Sequence, residues 1–309
     1  MTPQFSVITP SFEQGKFIER TILSVLAQEN VSFDYVICDG GSRDETLTIL
    51  QRYGEKHGER LHWLSEADGG QAEAVNKGIA MTQGDVIAWI NADDLYYPGA
   101  FARVQALFEA HPEVDVIYGD AQWVDEQDCI IEAFPTEPWS YARLQETCYL
   151  CQPAVFFRRR LIDQFGCLDA SLHYCLDYEL WLRYGQTARF LHLPSILAAS
   201  RLHKHNKTLG QAVAMHQEVL EMLQAKFGQV PESWVLGYAL NKVEQDSQIS
   251  RFDDARFLPF VGRLLWTSIV ELVRWRRWVW PTTLVKMLGW IALPDLAWFR
   301  RRKLLHQPA

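Results

Sequence analysis

"DVIAWINADDLYYPG", residues 85–99, decides how the rest of the chain is read. Val86, Ile87, Ala88, Trp89 and Ile90 make a short unbroken apolar run, the pattern of a strand buried on both faces. The run stops abruptly at Asn91, Ala92, Asp93 and Asp94. Two adjacent carboxylates at the tip of a hydrophobic strand repel each other, so something must compensate them. Either an Asp caps the turn that follows, or the pair helps to hold a cation.

Working outward, the first 120 residues alternate between the periods of strand and helix. Strands are expected at 5–9, 35–39, 61–64, 86–90 and 114–118, with helices at 16–28, 44–57, 72–81 and 98–109. Asp44 is the expected N-cap of the second helix, and Pro98 the first residue of the fourth. Such alternation predicts an α/β fold with a mainly parallel sheet covered on both faces. In open sheets of this kind ligands bind beyond the carboxyl ends of the strands. Four of those ends carry the polar groups: Thr9-Pro10-Ser11, Asp39-Gly40-Gly41-Ser42, Ser65 to Gly70 with Asp68, and Asn91 to Asp94. A hard cation such as Mg²⁺ or Mn²⁺ takes one or two carboxylates and completes its shell with substrate phosphates. Acids gathered on neighbouring strand ends therefore point to a metal and a nucleotide diphosphate. No GxGxxG follows a strand and no GxxxxGK[ST] occurs, which argues against a dinucleotide fold and a P-loop.

Beyond residue 120 the pattern turns to mixed α and β. "LDYELWLRY", 176–184, reads as an amphipathic helix with Leu176, Leu180, Trp181 and Tyr184 inward. Strands are expected at 189–193 and 195–200, and a long helix at 206–227.

Composition narrows the class. A net charge of −8 over 309 residues argues against general nucleic-acid binding. That average hides a split, because residues 251–309 hold 11 Lys+Arg against 4 Asp+Glu and six of the 12 Trp. Only Cys148 and Cys151 form a CxxC, with no second pair to complete a zinc pattern, so all six cysteines are expected to be reduced. The opening MTPQFSVITP has neither the basic nor the apolar region of a secretory leader, so the expected location is the cytoplasm.

Four stretches, "SVITPSFEQGKFIERTILSVLAQ", "YVICDGGSRDET", "SEADGGQAEAVNKGIAMTQGDVIAWINADD" and "LDYELWLRYG", together resemble family 2 glycosyltransferases. The resemblance runs from residue 4 to about 210. It implies the GT-A, Rossmann-like nucleotide-diphospho-sugar transferase fold over residues 1–228, with a nucleotide half (1–120) and an acceptor half (121–228). A helical, basic, Trp-rich extension follows at 229–309. It also implies an inverting, metal-dependent transfer from a nucleotide-diphosphate sugar, UDP-linked first of all, to a glycan or lipid-linked hydroxyl in cell-surface polysaccharide or glycolipid synthesis. By resemblance Thr9, Pro10, Asp39 and Asp68 lie against the nucleoside, and Lys77 neighbours the diphosphate. Asn91-Ala92-Asp93 occupies the DxD position with Asn for the first Asp; Asp93, supported by Asp94, is the expected metal ligand. Asp177 matches the catalytic base of the ED motif, where Leu176 replaces the Glu. Glu179 is its substitute, although residues two apart on a helix point about 200° apart, so only one can face the sugar. Alternatively Asp177 merely caps its helix. In "SRLHKHNKT" His203, or else His205, completes the metal shell or touches the diphosphate. Gln152, in "CQPAVFFRRRL", falls on the acceptor side, while Arg158 to Arg160 read as solvated.

The extension cannot cross a membrane as read: Arg263, Glu271, Lys286 and Asp295 interrupt it and Pro281 and Pro294 break helices. Trp and Arg among aliphatics suit an interfacial helix on the inner face of the cell membrane, with the clusters Arg274-Arg276-Arg277 and Arg300 to Lys303 facing anionic lipid. The alternative is a helical subdomain packed on the core, or an oligomer interface. A catalytically inactive nucleotide-sugar-binding scaffold is the competing function, supported only by the Asn91 and Leu176 departures.

Overall fold

The computed structural model describes residues 4–203, 206, 210–276 and 278–292. The chain divides into two compact units, Met1–His203 and Lys204–Ala309.

In the first unit, the predicted alternation becomes β1 (Phe5–Ser11), α1 (Ile18–Leu26), β2 (Phe33–Asp39), α2 (Thr46–His57), β3 (Leu61–Ser65), α3 (Gln71–Met81) and β4 (Val86–Trp89). Then come β5 (Leu95–Tyr96), α4 (Ala100–Ala110), β6 (Val116–Val124), β7 (Ile130–Ala133), α5 (Tyr141–Glu146), β8 (Val155–Arg158), α6 (Arg160–Phe165), α7 (Leu176–Gly185) and β9 (Phe190–Arg201). All the strands join one sheet in the order β3-β2-β1-β4-β8-β6-β9-β5, with β7 on β6. β1 to β4 pair in parallel, β8 runs antiparallel between β4 and β6, and β9 pairs parallel to β6. Two reversals in succession restore direction, so β1 to β4, β6 and β9 all point their carboxyl ends to one edge.

Alternation along the strands sorts side chains to the two faces. Phe5, Val7, Tyr35, Ile37, Val86, Ala88, Ile90 and Phe156 bury against α1, α2 and α4. There Phe101 stacks on Phe5, with ring centroids 5.0 Å apart. Losing a buried ring of this kind costs about 3–5 kcal/mol. On the opposite face α3 lies so close that a Cβ at Gly78 would come within 2.6 Å of Ile8. α7 also packs there, through Trp181 and Tyr184 on Phe157.

Some local expectations move. Asp44 accepts from Thr46 N and Gly15 N, so it ties the loop of β1 to the start of α2 from one position ahead of the helix boundary. α4 starts at Ala100 after Gly99, which takes φ +73°, a turn that suits glycine. The two strands expected at 189–200 are one, β9, whose register against β6 shifts around Asp120. Arg158 and Arg159 are not solvated: they tie carbonyls of Phe108 and Val114, and of Gly84 and Ile79, respectively.

The second unit holds α8 (Ala212–Phe227), α9 (Glu232–Ser247), α10 (Phe257–Arg276) and α11 (Pro281–Ala292). α9 packs against both α8 and α10. The long helix expected at 206–227 is α8 of the second unit, and the two units divide between His203 and Lys204. The Asp295, Pro294 and Arg300–Lys303 readings, with Arg277 and His205, lie outside the described residues. Among the described residues no helix is long and apolar enough to cross a membrane.

Candidate active site

The first wall is built from the ends of β1, β2 and β3. Asp39 is buried, and its Oδ2 accepts from Gly41 N (3.1 Å), Ser42 N (2.9 Å) and Ser65 Oγ (2.6 Å). Its Oδ1 takes Ser42 Oγ at 2.6 Å. Asp39 therefore organises the Gly-rich turn, which Gly41 completes at φ +84°. Asp68 reaches in from the β3 end and accepts from Gly70 N at 2.9 Å. A Cβ at Gly40 would sit 3.2 Å from both Asp68 oxygens and 3.3 Å from the ring of Phe12, which is 60% exposed. Gly40 is thus the floor of a slot between a carboxylate and an exposed aromatic ring. Beside it the buried Ser11 Oγ lacks a hydrogen-bond partner among the described residues. Ser11 belongs to the polar strand end expected from the sequence, whereas nothing in the sequence marks Phe12. Thr9 points elsewhere: its hydroxyl meets Tyr35 OH at 3.0 Å in the core, so its side chain does not line the slot. Lys77 is paired with Glu66 at 2.6 Å.

The second wall is the turn after β4. Asn91 Oδ1 accepts from Gln71 Nε2 (2.7 Å) and Trp89 Nε1 (3.1 Å), so its side chain braces the turn. Ala92 and Asp94 both present carbonyls to Thr21 Oγ1, at 2.9 and 2.8 Å. Asp93 and Asp94 then diverge. Asp93 Oδ2 meets His203 Nε2 at 2.9 Å, and His203 packs on Phe17 with centroids 4.7 Å apart. Asp94 turns inward, accepting from Arg201 N at 2.9 Å and from Asn91 Nδ2 at 3.3 Å. Burial, then the charge of Asp93, raises its carboxyl well above the usual carboxylate range. Of the two expected metal ligands on this turn, Asp94 is thus turned toward Arg201 and Asn91, while Asp93 faces His203. Among the described residues no group of three or more His, Cys, Asp or Glu converges as a ready cation site.

Arg201 offsets the repulsion between the adjacent acids Asp93 and Asp94. Its side chain is wholly buried, Nε donates to Asp93 O at 2.8 Å, and a terminal nitrogen pairs with Asp128. Phe17 lies 5.0 Å beneath the guanidinium. Arg20 holds the other oxygen of Asp128 at 2.7 Å, so the β6–β7 turn is clamped beside the Asp93–Asp94 turn. A guanidinium keeps its charge even when burial opposes it, and here it offsets two neighbouring carboxylates.

The third wall is α7 with the segment before β8. Asp177 is half-exposed in the first turn of α7, where helix polarity favours a negative charge, and its Oδ1 accepts from Tyr178 N at 2.8 Å. Glu179 does not face the acceptor side. It is fully buried and forked to Arg183 at 3.0 and 2.9 Å, and Arg183 goes on to the carbonyls of Gly166 and Cys167. Gln152 donates to Trp89 O at 2.6 Å, pinning its 3₁₀ turn to the end of β4. Next to it, burial pushes the Cys151 thiol well up, and the charges of Asp94, Cys148 and Asp177 push it further.

A mainly parallel sheet whose carboxyl ends carry Asp39, Asp68 and Asp93 is the arrangement of a GT-A type nucleotide-sugar transferase fold. Residues 6–164 match the glycosyl transferase family 2 model, and the chain belongs to that family. It is 27% identical over 220 residues to an uncharacterized glycosyltransferase of Rickettsia prowazekii, a match covering 67% of this chain and 66% of that protein. It is 30% identical over 186 residues to a PGL/p-HBAD biosynthesis glycosyltransferase of Mycobacterium bovis, covering 59% of this chain and 69% of that one. Among solved structures, S. aureus TarS 1-349 in complex with UDP superposes with a TM-score of 0.57 at 17% identity, over 85% of this chain and 80% of that one. The mannosyltransferase PcManGT of Pyrobaculum calidifontis, in complex with GDP-Man and Mn²⁺, gives 0.61 at 15% identity, over 97% and 83%.

The Gly40 slot makes a sharp prediction. Gly40→Val is expected to abolish the rise in melting temperature produced by a nucleoside diphosphate, because the added methyls must displace Asp68 or Phe12. The substituted protein itself should melt within a few degrees of wild type. Retention of the nucleotide-induced rise would show that no ligand enters this slot.

Proposed function

We propose that the protein is an inverting glycosyltransferase that moves a sugar from a nucleoside-diphosphate sugar, a UDP-sugar above others, to a hydroxyl of a glycan or lipid-linked acceptor. Cell-surface polysaccharide or glycolipid synthesis is the setting this suits, with the protein held at the inner face of the membrane. The observation that carries the reading is the gathering of Asp39, Asp68 and the Asp93–Asp94 turn just beyond the carboxyl ends of the parallel strands β2, β3 and β4. Family membership supports the reaction class.

In this reading the slot between Phe12, Gly40 and Asp68 takes the nucleoside, and Asp39 fixes the turn beneath it. Asp93 and His203, a carboxylate and an imidazole, would together hold Mn²⁺; Mg²⁺, which prefers oxygen, would use Asp93 alone. Such a cation would supply charge compensation for the departing nucleoside diphosphate. Asp177 takes the proton of the acceptor hydroxyl as its oxygen bonds to the anomeric carbon, and the bond to the diphosphate breaks on the opposite side. One displacement inverts the anomeric centre and requires no covalent intermediate. Gln152 and Cys151 form the floor between the two sides, and Glu179 with Arg183 keeps α7 in place.

A thermal-shift panel of UDP, GDP and dTDP, each with and without Mn²⁺, tests the reading. One nucleotide is expected to raise the melting temperature by several degrees, and only with the metal. No response to any nucleotide would refute it. Full activity in the presence of a chelator would remove the metal from it.

A further inference from the structure

We infer that the second unit carries a built membrane-binding face on α10 and the residues that follow it, and that its occupant is an anionic lipid surface. The inference rests on the proposed acceptor chemistry only in placing that acceptor at a membrane. α10 is apolar on two sides. Phe257, Phe260, Val261, Leu264 and Leu272 are buried on one side. Leu258, Trp266, Val270 and Val273 are exposed on the other, Trp266 by 70%. At 100° per residue the four exposed positions fall within an arc of about 120°, opposite the buried side. Arg263 and Arg274 lie on one border of that arc. Trp278 and Trp280, in the segment after α10, are exposed as well, and so are Leu284, Val285 and Leu288 on α11, with Lys286 among them. A helical unit needs only one apolar side to fold. The second is surplus to packing.

Charge selects the occupant. Between Phe257 and Ala292 the sequence has five Lys+Arg and a single acid, Glu271. That acid is buried and held by Lys242 at 3.0 Å; Glu232 lies 3.5 Å from Lys286, so cations still outnumber acids among the Trp and aliphatic side chains of this surface. Such a surface repels a second copy of itself and attracts a negatively charged interface. Indole rings suit the headgroup level, where one edge is apolar and the other wet. No helix among the described residues can span the bilayer, so the contact lies in the interface plane.

The test is sedimentation of the full chain with vesicles of phosphatidylcholine alone, and of phosphatidylcholine with about a third phosphatidylglycerol. Wild type is expected to bind the anionic vesicles roughly tenfold more tightly than the neutral ones, and to lose that preference in high salt. Trp266→Ser with Trp278→Ser, and separately Arg263→Glu with Arg274→Glu, should each cut binding by roughly tenfold. The nucleotide-induced thermal shift, measured on the same preparations, should not change. Equal sedimentation of wild type and both variants overturns the inference. So does a stable dimer in solution that the Trp substitutions dissolve. Loss of the thermal shift in wild type would count against the proposed reaction and leave the membrane result standing.

Discussion

Asp177→Asn is expected to lower turnover by about 10³-fold while leaving the nucleotide-induced thermal shift unchanged. The substitution keeps the shape of the side chain, and the amide oxygen can still accept from Tyr178 N as the carboxylate does at 2.8 Å. Only proton-accepting power is lost. Asp177 lies on α7, away from the Asp39–Asp68 slot that is proposed to hold the nucleoside, so donor binding has no reason to suffer. The helix should survive as well, since Leu180, Trp181 and Tyr184 hold it to the sheet from its buried side. Single-turnover transfer, measured beside binding of the nucleoside diphosphate, separates the two effects. If the substituted enzyme turned over within a few-fold of wild type, Asp177 would be a helix-capping residue and the base would have to be sought elsewhere. A wild-type protein inactive with every donor would instead favour the scaffold reading.

Arg201→Met should destabilise the first unit by about 3 kcal/mol, with a fall in melting temperature of about 10 °C. The aliphatic stem would still pack on Phe17. What disappears is the donor to Asp93 O and the charge that faces Asp93, Asp94 and Asp128. Removing one member of a buried ionic group costs more than the group is worth intact, because the remaining charges stay buried without it. Arg201→Lys restores the charge but not the planar fork, so it should recover only part of the loss. Asp128 is also held by Arg20 and is about a third exposed, which is why the lower end of the range applies. Thermal melts by circular dichroism decide the matter. A melting temperature for Arg201→Met within two or three degrees of wild type would mean that the guanidinium is a passenger.

Much of the fold was legible because strand and helix periods alternate cleanly up to residue 120, where each element covers its neighbour. The polar strand ends were legible for the same reason, since direction in a parallel sheet gathers them on one edge. Helix period also separated Asp177 from Glu179 correctly, although it could not say which of the two points inward. The answer lies in Arg183, one turn further on and tied to the loop after α6. Thr9, Asp94 and Asn91 were read as facing ligand because they sit where a ligand should be. Their side chains are taken by Tyr35, Arg201, Gln71 and Trp89, most of them distant in sequence. Arg201 lies in SRLHKHNKT among other cationic side chains. Its role depends on Asp128, 73 residues away, and no local pattern encodes that pairing.

The state of Cys151 has a practical outcome for chemical labelling. A sulfur enclosed by carboxylates and apolar groups holds its proton at neutral pH, and only the thiolate reacts with maleimides or iodoacetamide. Such reagents should pass over this position and modify Cys129, which is exposed and follows Asp128 directly in the β6–β7 turn. A fluorophore attached there would stand next to the residue that anchors Arg201, and would report movement of the turn without occupying the catalytic edge.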